Sequence, residues 1–152
     1  MKALKWEKGF TLMEIIIVMA IIAILATILI PNIGGFDTEA RITATKSNLD
    51  NLRSAITLFR AKKGRYPENL NELVTKTYLD RGVKKRFLRA IPKELISSKE
   101  GNNTVEVQMS TEPLSNNGGW TYFKDTAEVV VDVNEPLGSE WDDYADEIPS
   151  KW

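Results

Sequence analysis

The chain has 152 residues, 43% of them hydrophobic, with 20 basic and 21 acidic side chains, enough for one modest domain plus an anchor. It contains no cysteine and no histidine, which excludes a disulfide framework, a thiolate metal site and the commonest general base. A balance so near neutrality gives no whole-protein attraction for nucleic acid.

Residues 1–9 carry Lys2, Lys5 and Lys8 against Glu7, and the apolar run 10–30 that follows holds a single charge, Glu14. About 21 residues at ~1.5 Å rise give roughly 31 Å of helix, enough to cross a hydrocarbon core of ~30 Å. The lysines keep the N-terminal side cytoplasmic and export the rest. A cleaved secretory signal has an apolar region of about 7–15 residues followed by a small-residue cleavage site. Here the run is longer and the small residue, Gly9, precedes it, so a cut there leaves the anchor attached. That cut removes three lysines and one glutamate, leaving 17 basic and 20 acidic side chains.

An ionised carboxylate inside lipid costs on the order of 2.5–3.5 kcal/mol even on lenient insertion scales, so Glu14 needs a cation. Cleavage between Gly9 and Phe10 creates one, an α-amino group at the same depth. It sits in the first turn of the same helix, or on a neighbouring copy shifted along the axis. In the second case Glu14 is a register mark for stacking many copies. The alternative is a plain single-span anchor.

The stretch Gly9-Phe10-Thr11-Leu12-Met13-Glu14, followed by the apolar residues 15–22, resembles the processing and methylation site of type IV pilins and type II secretion pseudopilins. The resemblance implies cleavage after Gly9 by a prepilin peptidase, N-methylation of Phe10, and a role for Phe10 and Glu14 in filament assembly.

Pro31 closes the apolar run, and Asn32, Gly34 and Gly35 follow. A proline removes an intrahelical hydrogen bond and paired glycines ease departure from helical geometry, so a kink or frayed turn is expected at Pro31, Gly34 and Gly35. The alternative is the exit of one helix and the start of another. From 38 to 62, Ile42, Leu49, Leu52, Ile56 and Phe59 recur at three- and four-residue spacing. Arg41, Lys46, Asp50, Arg53 and Arg60 take other faces, which predicts an amphipathic helix. Asp37 or Thr38 is the expected N-cap and Gly64 the stop. The seam spans too few heptads for a coiled coil. Together with Pro31-Asn32-Ile33-Gly34-Gly35, Asp37, Ala40, Arg41 and Gly64-Arg65-Tyr66-Pro67, the segment 9–74 resembles the major pseudopilin of type II secretion systems.

Pro67 and the acids Glu68 and Glu72 mark a second helix start, with Leu70, Leu73 and Val74 packing on the long helix and Leu79 closing the turn. Residues 80–93 are basic, with Phe87, Leu88 and Ile91 between the cations. Three strands are predicted at 104–109, 120–123 and 128–133, joined as an antiparallel meander. The tail 134–152 is acidic and aromatic. The predicted architecture is α+β: a long N-terminal helix, half transmembrane and half amphipathic, packed on a small antiparallel β-sheet head. It divides into a leader (1–9), a membrane and filament-core helix (10–30) and an exported head (31–152).

Asp142, Asp143 and Asp146 are weak candidates for calcium, the ion that the resemblance implies for a C-terminal loop. Their spacing fits no twelve-residue calcium loop, and a solvated acidic tail is the preferred reading, with no cofactor expected. The basic stretch 81–89 suits a solvated loop or the acidic tail of a neighbouring subunit. It has too few stacking aromatics for a nucleic-acid groove. No nucleophile elbow, phosphate loop or metal spacing appears, so no enzyme is expected. Gly118-Gly119 suits a turn, and Trp120, Tyr122 and Trp141 suit packing.

The resemblance implies a structural subunit of a filament of itself and minor pseudopilins, held in the bacterial inner membrane and served by a prepilin peptidase and an inner-membrane assembly platform. The alternatives are a type IV pilin of a surface pilus and a single-span anchored binding protein.

Overall fold

The computed structural model describes residues 10–29 and 33–152. The chain divides into two compact units between Phe36 and Asp37. The first contains α1, Leu12–Leu29. The second begins within α2, Ile33–Lys63, and holds the rest of the fold.

The three- and four-residue apolar spacing of α2 works as expected. Ile42, Leu49, Leu52, Ala55, Ile56 and Phe59 are all 5% exposed or less. The helix starts earlier than the caps suggested, so Asp37 and Thr38 lie inside it, and Gly34 and Gly35 are helical rather than a break. Each glycine costs roughly 1 kcal/mol against alanine. A long helix already nucleated downstream gains one hydrogen bond per added residue, and this propagation carries it through the pair. Pro31, the other half of that expectation, lies outside the described residues. At the far end Gly64 has φ +74° and its N–H reaches the Arg60 carbonyl at 2.8 Å. That left-handed stop follows Arg60, Lys62 and Lys63, cations suited to the negative end of the helix.

The second helix is one short turn and a half, α3, Asn71–Thr75. Leu70 and Leu73 are fully buried, and Arg65 grips Glu72 through two parallel bonds of 2.9 Å. Leu79 does not close this turn. It lies in a strand, β1 (Thr77–Asp80), paired antiparallel with β2 (Val83–Arg86). Arg81 and Gly82 join the two with φ +49° and +83°, positive at both positions as a two-residue hairpin turn of the primed type demands. The run of cations had concealed both strands, because lysine and aspartate are poor strand formers.

The three expected strands are present as β3 (Val105–Gln108), β4 (Trp120–Phe123) and β5 (Glu128–Val131). The β4–β5 pair is antiparallel, but β3–β4 is parallel, with Val105 opposite Trp120. The all-antiparallel meander is therefore corrected, while the α+β class stands. Parallel partners normally need a crossover of about a dozen residues. Segment 109–119 suffices here because each strand is only four residues long.

The larger core lies between α2, α3, Phe87, Ile91 and the three-stranded sheet, which contributes Trp120, Tyr122, Val129 and Val131. A smaller cluster joins Ile42 and Ile96 to Leu137 and Trp141. The two large aromatics of β4 have their polar atoms matched, whereas the buried Thr121 hydroxyl finds no partner among the described residues. Trp120 Nε1 donates to the Pro92 carbonyl and Tyr122 Oη to the Pro67 carbonyl, both at 2.7 Å. Burial pushes the Tyr122 phenol up to about 12, so it stays a donor at any physiological pH.

Two buried carboxylates act as loop anchors. Glu94 accepts from the backbone N–H groups of Ile96 (2.7 Å), Ser97 (3.1 Å) and Gly119 (3.2 Å) and from the Ser97 hydroxyl. Asp132 accepts from Asn116 N–H at 3.1 Å, Asn117 N–H at 3.3 Å and the Ser115 hydroxyl.

Candidate assembly site

α1 is apolar around its whole circumference, with Glu14 its one charge. A helix of that kind has no solvent face, so its surroundings must be lipid or other apolar helices. In the single chain its large side chains are exposed, from Phe10 at 84% through Leu12, Met13 and Met19. Among the described residues no helix is long and apolar enough to cross a membrane. The 18 residues of α1 rise about 27 Å against a core of ~30 Å.

The start of α1 is built by a capping box, a threonine followed three residues later by a glutamate. Thr11 Oγ1 accepts from the Glu14 N–H at 3.2 Å, while Glu14 Oε2 accepts from the Thr11 N–H and hydroxyl, each at 2.9 Å. One carboxylate oxygen thus orders the helix start. The other, Oε1, accepts no hydrogen bond among the described residues. The sequence signal for this cap is Thr-x-x-Glu at 11–14, and it gives Glu14 a partner within its own chain besides the Phe10 nitrogen expected from the sequence. Phe10 is described and exposed, whereas Gly9, the other side of the expected cleavage, lies outside the described residues, as does Pro31. Gly34 and Gly35 fall in the first turn of α2.

The other predicted sites are dispersed. Among the described residues no three acidic side chains are placed to hold a metal ion. Asp143 and Asp146 are exposed, and Glu147 is engaged by Lys46 at 2.8 Å. The side chain of Asp142, the third of the named candidates, lies outside the described residues. The tail is not a free solvated segment, since Leu137, Trp141 and Pro149 are buried. Its groups meet the cations that α2 carries outside its apolar stripe. Arg41 stands 4.7 Å from the Trp141 ring centroid, and Arg53 Nη2 donates to the Trp152 carbonyl at 2.7 Å. Gly118 and Gly119 are no phosphate cradle, because their N–H groups already serve the Asp132 carbonyl at 3.1 Å and Glu94 at 3.2 Å. Trp120, Tyr122 and Trp141 are core. Glu94 and Asp132, the two anchors, carried no sequence signal beyond being isolated acids.

The family described as the prokaryotic N-terminal methylation motif matches residues 7–30, the segment that contains α1 and its cap. The type IV major pilin protein PilA of Myxococcus xanthus is 44% identical over 67 residues, 44% of this chain and 30% of that protein. The type II secretion system core protein G of Pectobacterium carotovorum is 36% identical over 73 residues, 46% of this chain and 47% of its own length. The protein of the same name from Aeromonas hydrophila is 32% identical over 92 residues, 53% of this chain and 64% of its length. The chain thus spans between about a third and two thirds of these curated relatives. No solved structure matches. The methylation motif and these relatives together show that the N-terminal part of the chain is similar to type IV pilins and type II secretion pseudopilins.

Proposed function

We propose that the chain is a non-enzymatic structural subunit of a helical filament of the type IV pilus kind, a pseudopilin of a type II secretion system. The observation that carries this reading is the coincidence of the methylation motif at 7–30 with an apolar helix whose only charge stands in its first turn. As a sequence, the apolar run 10–30 is long enough to hold the subunit in the inner membrane, head exported.

A prepilin peptidase cuts between Gly9 and Phe10, and the new terminal nitrogen is methylated. The cut turns an uncharged amide nitrogen into a cation at the depth of Glu14. Glu14 keeps its cap to Thr11 through Oε2 and offers Oε1 to the terminal nitrogen of an adjoining subunit. Pairing of the two lowers the cost of holding both charges in lipid. Each subunit is thereby drawn from the membrane pool, at the assembly platform and alongside minor pseudopilins, into a bundle of apolar helices. Repeated contacts that do not close give an open helical polymer.

Two measurements test this. Mass spectrometry of protein from its host should find a mature chain that begins at a methylated Phe10. Glu14→Ala should insert normally and yield no filaments. A chain that still begins at Met1, or ordinary filaments from the alanine variant, refutes the proposal. The 44% identity to PilA over 67 residues favours a second reading, a pilin of a surface pilus. Fibres on the cell exterior, rather than confined to the periplasm, would select it.

A further inference from the structure

The β1–β2 hairpin has two unlike faces. Directly opposed residues of an antiparallel pair share a face and successive residues alternate. The register Thr77 with Arg86, Tyr78 with Lys85, Leu79 with Lys84 and Asp80 with Val83 therefore sorts the side chains. Tyr78, Asp80, Val83 and Lys85 share one face. There the Tyr78 ring lies 4.7 Å from the buried Phe87, and Lys85 is paired with Asp80. Thr77, Leu79, Lys84 and Arg86 share the other, and all four are exposed, Leu79 at 64%. Lys84 and Arg86 form no ion pair among the described residues. A two-stranded sheet is marginal in water by itself, and an aliphatic side chain between two unpaired cations leaves this outer face unpartnered.

The same unit carries a surface of opposite sign. Ser139–Tyr144 is a 3-10 helix, whose three-residue turn stacks each side chain over the third one on. Trp141 and Tyr144 share the inward side, both in the smaller core. Glu140 and Asp143 share the outward side, and both are exposed, as is Asp146 just beyond. None of these three acids forms an ion pair among the described residues.

We infer that the outer face of the β1–β2 hairpin, through Leu79, Lys84 and Arg86, binds the outward acidic face of the 3-10 helix, Glu140 and Asp143, on a second copy of the chain. This rests on the polymer reading above and names the contact between heads. Two different patches of one chain make a heterologous contact, the type that generates open helical arrays rather than closed dimers. The occupant follows from charge complementarity: a second copy supplies carboxylates at fixed spacing on an ordered helix. The outer face has no aromatic on which a base could stack. Exposed ion pairs are weak one at a time and screened by salt, so the contact gains its force from repetition along the polymer.

The chain has no cysteine, so introduced thiols are the only ones present. In the full chain with its assembly machinery, Lys84→Cys combined with Asp143→Cys should give, on oxidation, a ladder of disulfide-linked multimers. Two singly substituted chains expressed together should give dimers and nothing longer. Addition of Glu14→Ala should abolish the ladder. Filaments recovered without any ladder overturn the contact and leave the polymer reading intact, whereas the absence of both filaments and ladder sinks the two together.

Charge exchange provides the second arm. Lys84→Glu with Arg86→Glu should cut filament yield at least tenfold, and adding Glu140→Lys with Asp143→Lys in the same chain should restore it. Failure of that restoration overturns the contact. Loss of binding to vesicles containing anionic phospholipid in the first variant would then reassign the hairpin to the membrane surface.

Discussion

Lys46 and Glu147 stand 101 positions apart in sequence and 2.8 Å apart in the fold. Trp152 Nε1 donates to the same carboxylate oxygen at 2.6 Å, and the Lys46 ammonium lies 4.6 Å from the Trp152 ring centroid. One cation on α2 thus collects an acid and an aromatic from the C-terminal segment. The hydrogen bond from Lys46, then that from Trp152, holds the Glu147 carboxyl below its ordinary value of 4.5 against the opposing effect of burial. A depressed folded value means that the unfolded chain binds the proton more readily. The stabilisation is therefore complete above pH 4.5 and fades as pH falls through the lower folded value. Glu147→Gln should cost about 0.5–1 kcal/mol near neutrality, as for other half-exposed pairs. It should also flatten that acid limb. Thermal melts of the 37–152 unit between neutral and acid pH compare the two profiles. Parallel curves for wild type and variant would remove the pair from the account.

Phe59 is fully buried and its ring centroid lies 4.9 Å from that of Phe87. Truncation to alanine leaves a cavity beneath the sheet that the surrounding elements fill only in part. Phe59→Ala should cost about 3–5 kcal/mol, read from the denaturant midpoint of the 37–152 unit. A change within experimental scatter would mean that this side chain is not central to the core.

Glu94 is the acceptor for three backbone N–H groups and a hydroxyl. Removing it strands those donors in the interior, where each costs about 1–3 kcal/mol. Glu94→Ala should therefore lose at least ~3 kcal/mol, and Glu94→Gln, which keeps one acceptor oxygen, should lose less. Gly119→Ala should be as damaging for a different reason. The added Cβ would lie 2.4 Å from Thr104 Oγ1 and 2.6 Å from its carbonyl oxygen, at φ +85°. Equal stability of Glu94→Ala and Glu94→Gln would show that hydrogen bonding is not what this carboxylate contributes.

Legibility followed the physics of each segment. The apolar run and its single acid announce their surroundings because lipid tolerates few alternatives. The α2 stripe and the Gly64 stop follow from a helical period and a left-handed backbone. Period-two alternation located β3, the Gly118-Gly119 turn located β4 and a valine-rich run located β5, but none of these signals carries strand direction, so the parallel β3–β4 pair was beyond their reach. β1 and β2 hid among lysines because their outer face is unpartnered within the chain and needs no apolar alternation. Arg41, Lys46 and Arg53 gave no local sign of their partners, which lie about a hundred residues away in the tail, where only the tertiary fold joins them. Glu94 is a lone acid in an irregular loop, and nothing local distinguishes it from a surface charge.

Thr11 and Glu14 set up a test that separates charge from capping. Alanine at 14 removes both the cap and the negative charge, so a failure to assemble would not say which mattered. Glutamine at 14 is the other residue suited to this position of a capping box. It keeps an oxygen for the Thr11 N–H and hydroxyl, now at 2.9 Å from Glu14 Oε2. What it lacks is the charge that would pair with a terminal nitrogen. Glu14→Gln should therefore leave the helix start and membrane insertion intact, yet assemble no better than Glu14→Ala. Thr11→Ala, which weakens the cap by about 1 kcal/mol and spares the charge, should still be cleaved and still yield filaments. Filament yield, processing and insertion, measured for the three variants side by side, decide between the roles. If glutamine at 14 restores filaments, the carboxylate serves the helix start and the ion pair between copies is not what draws them together.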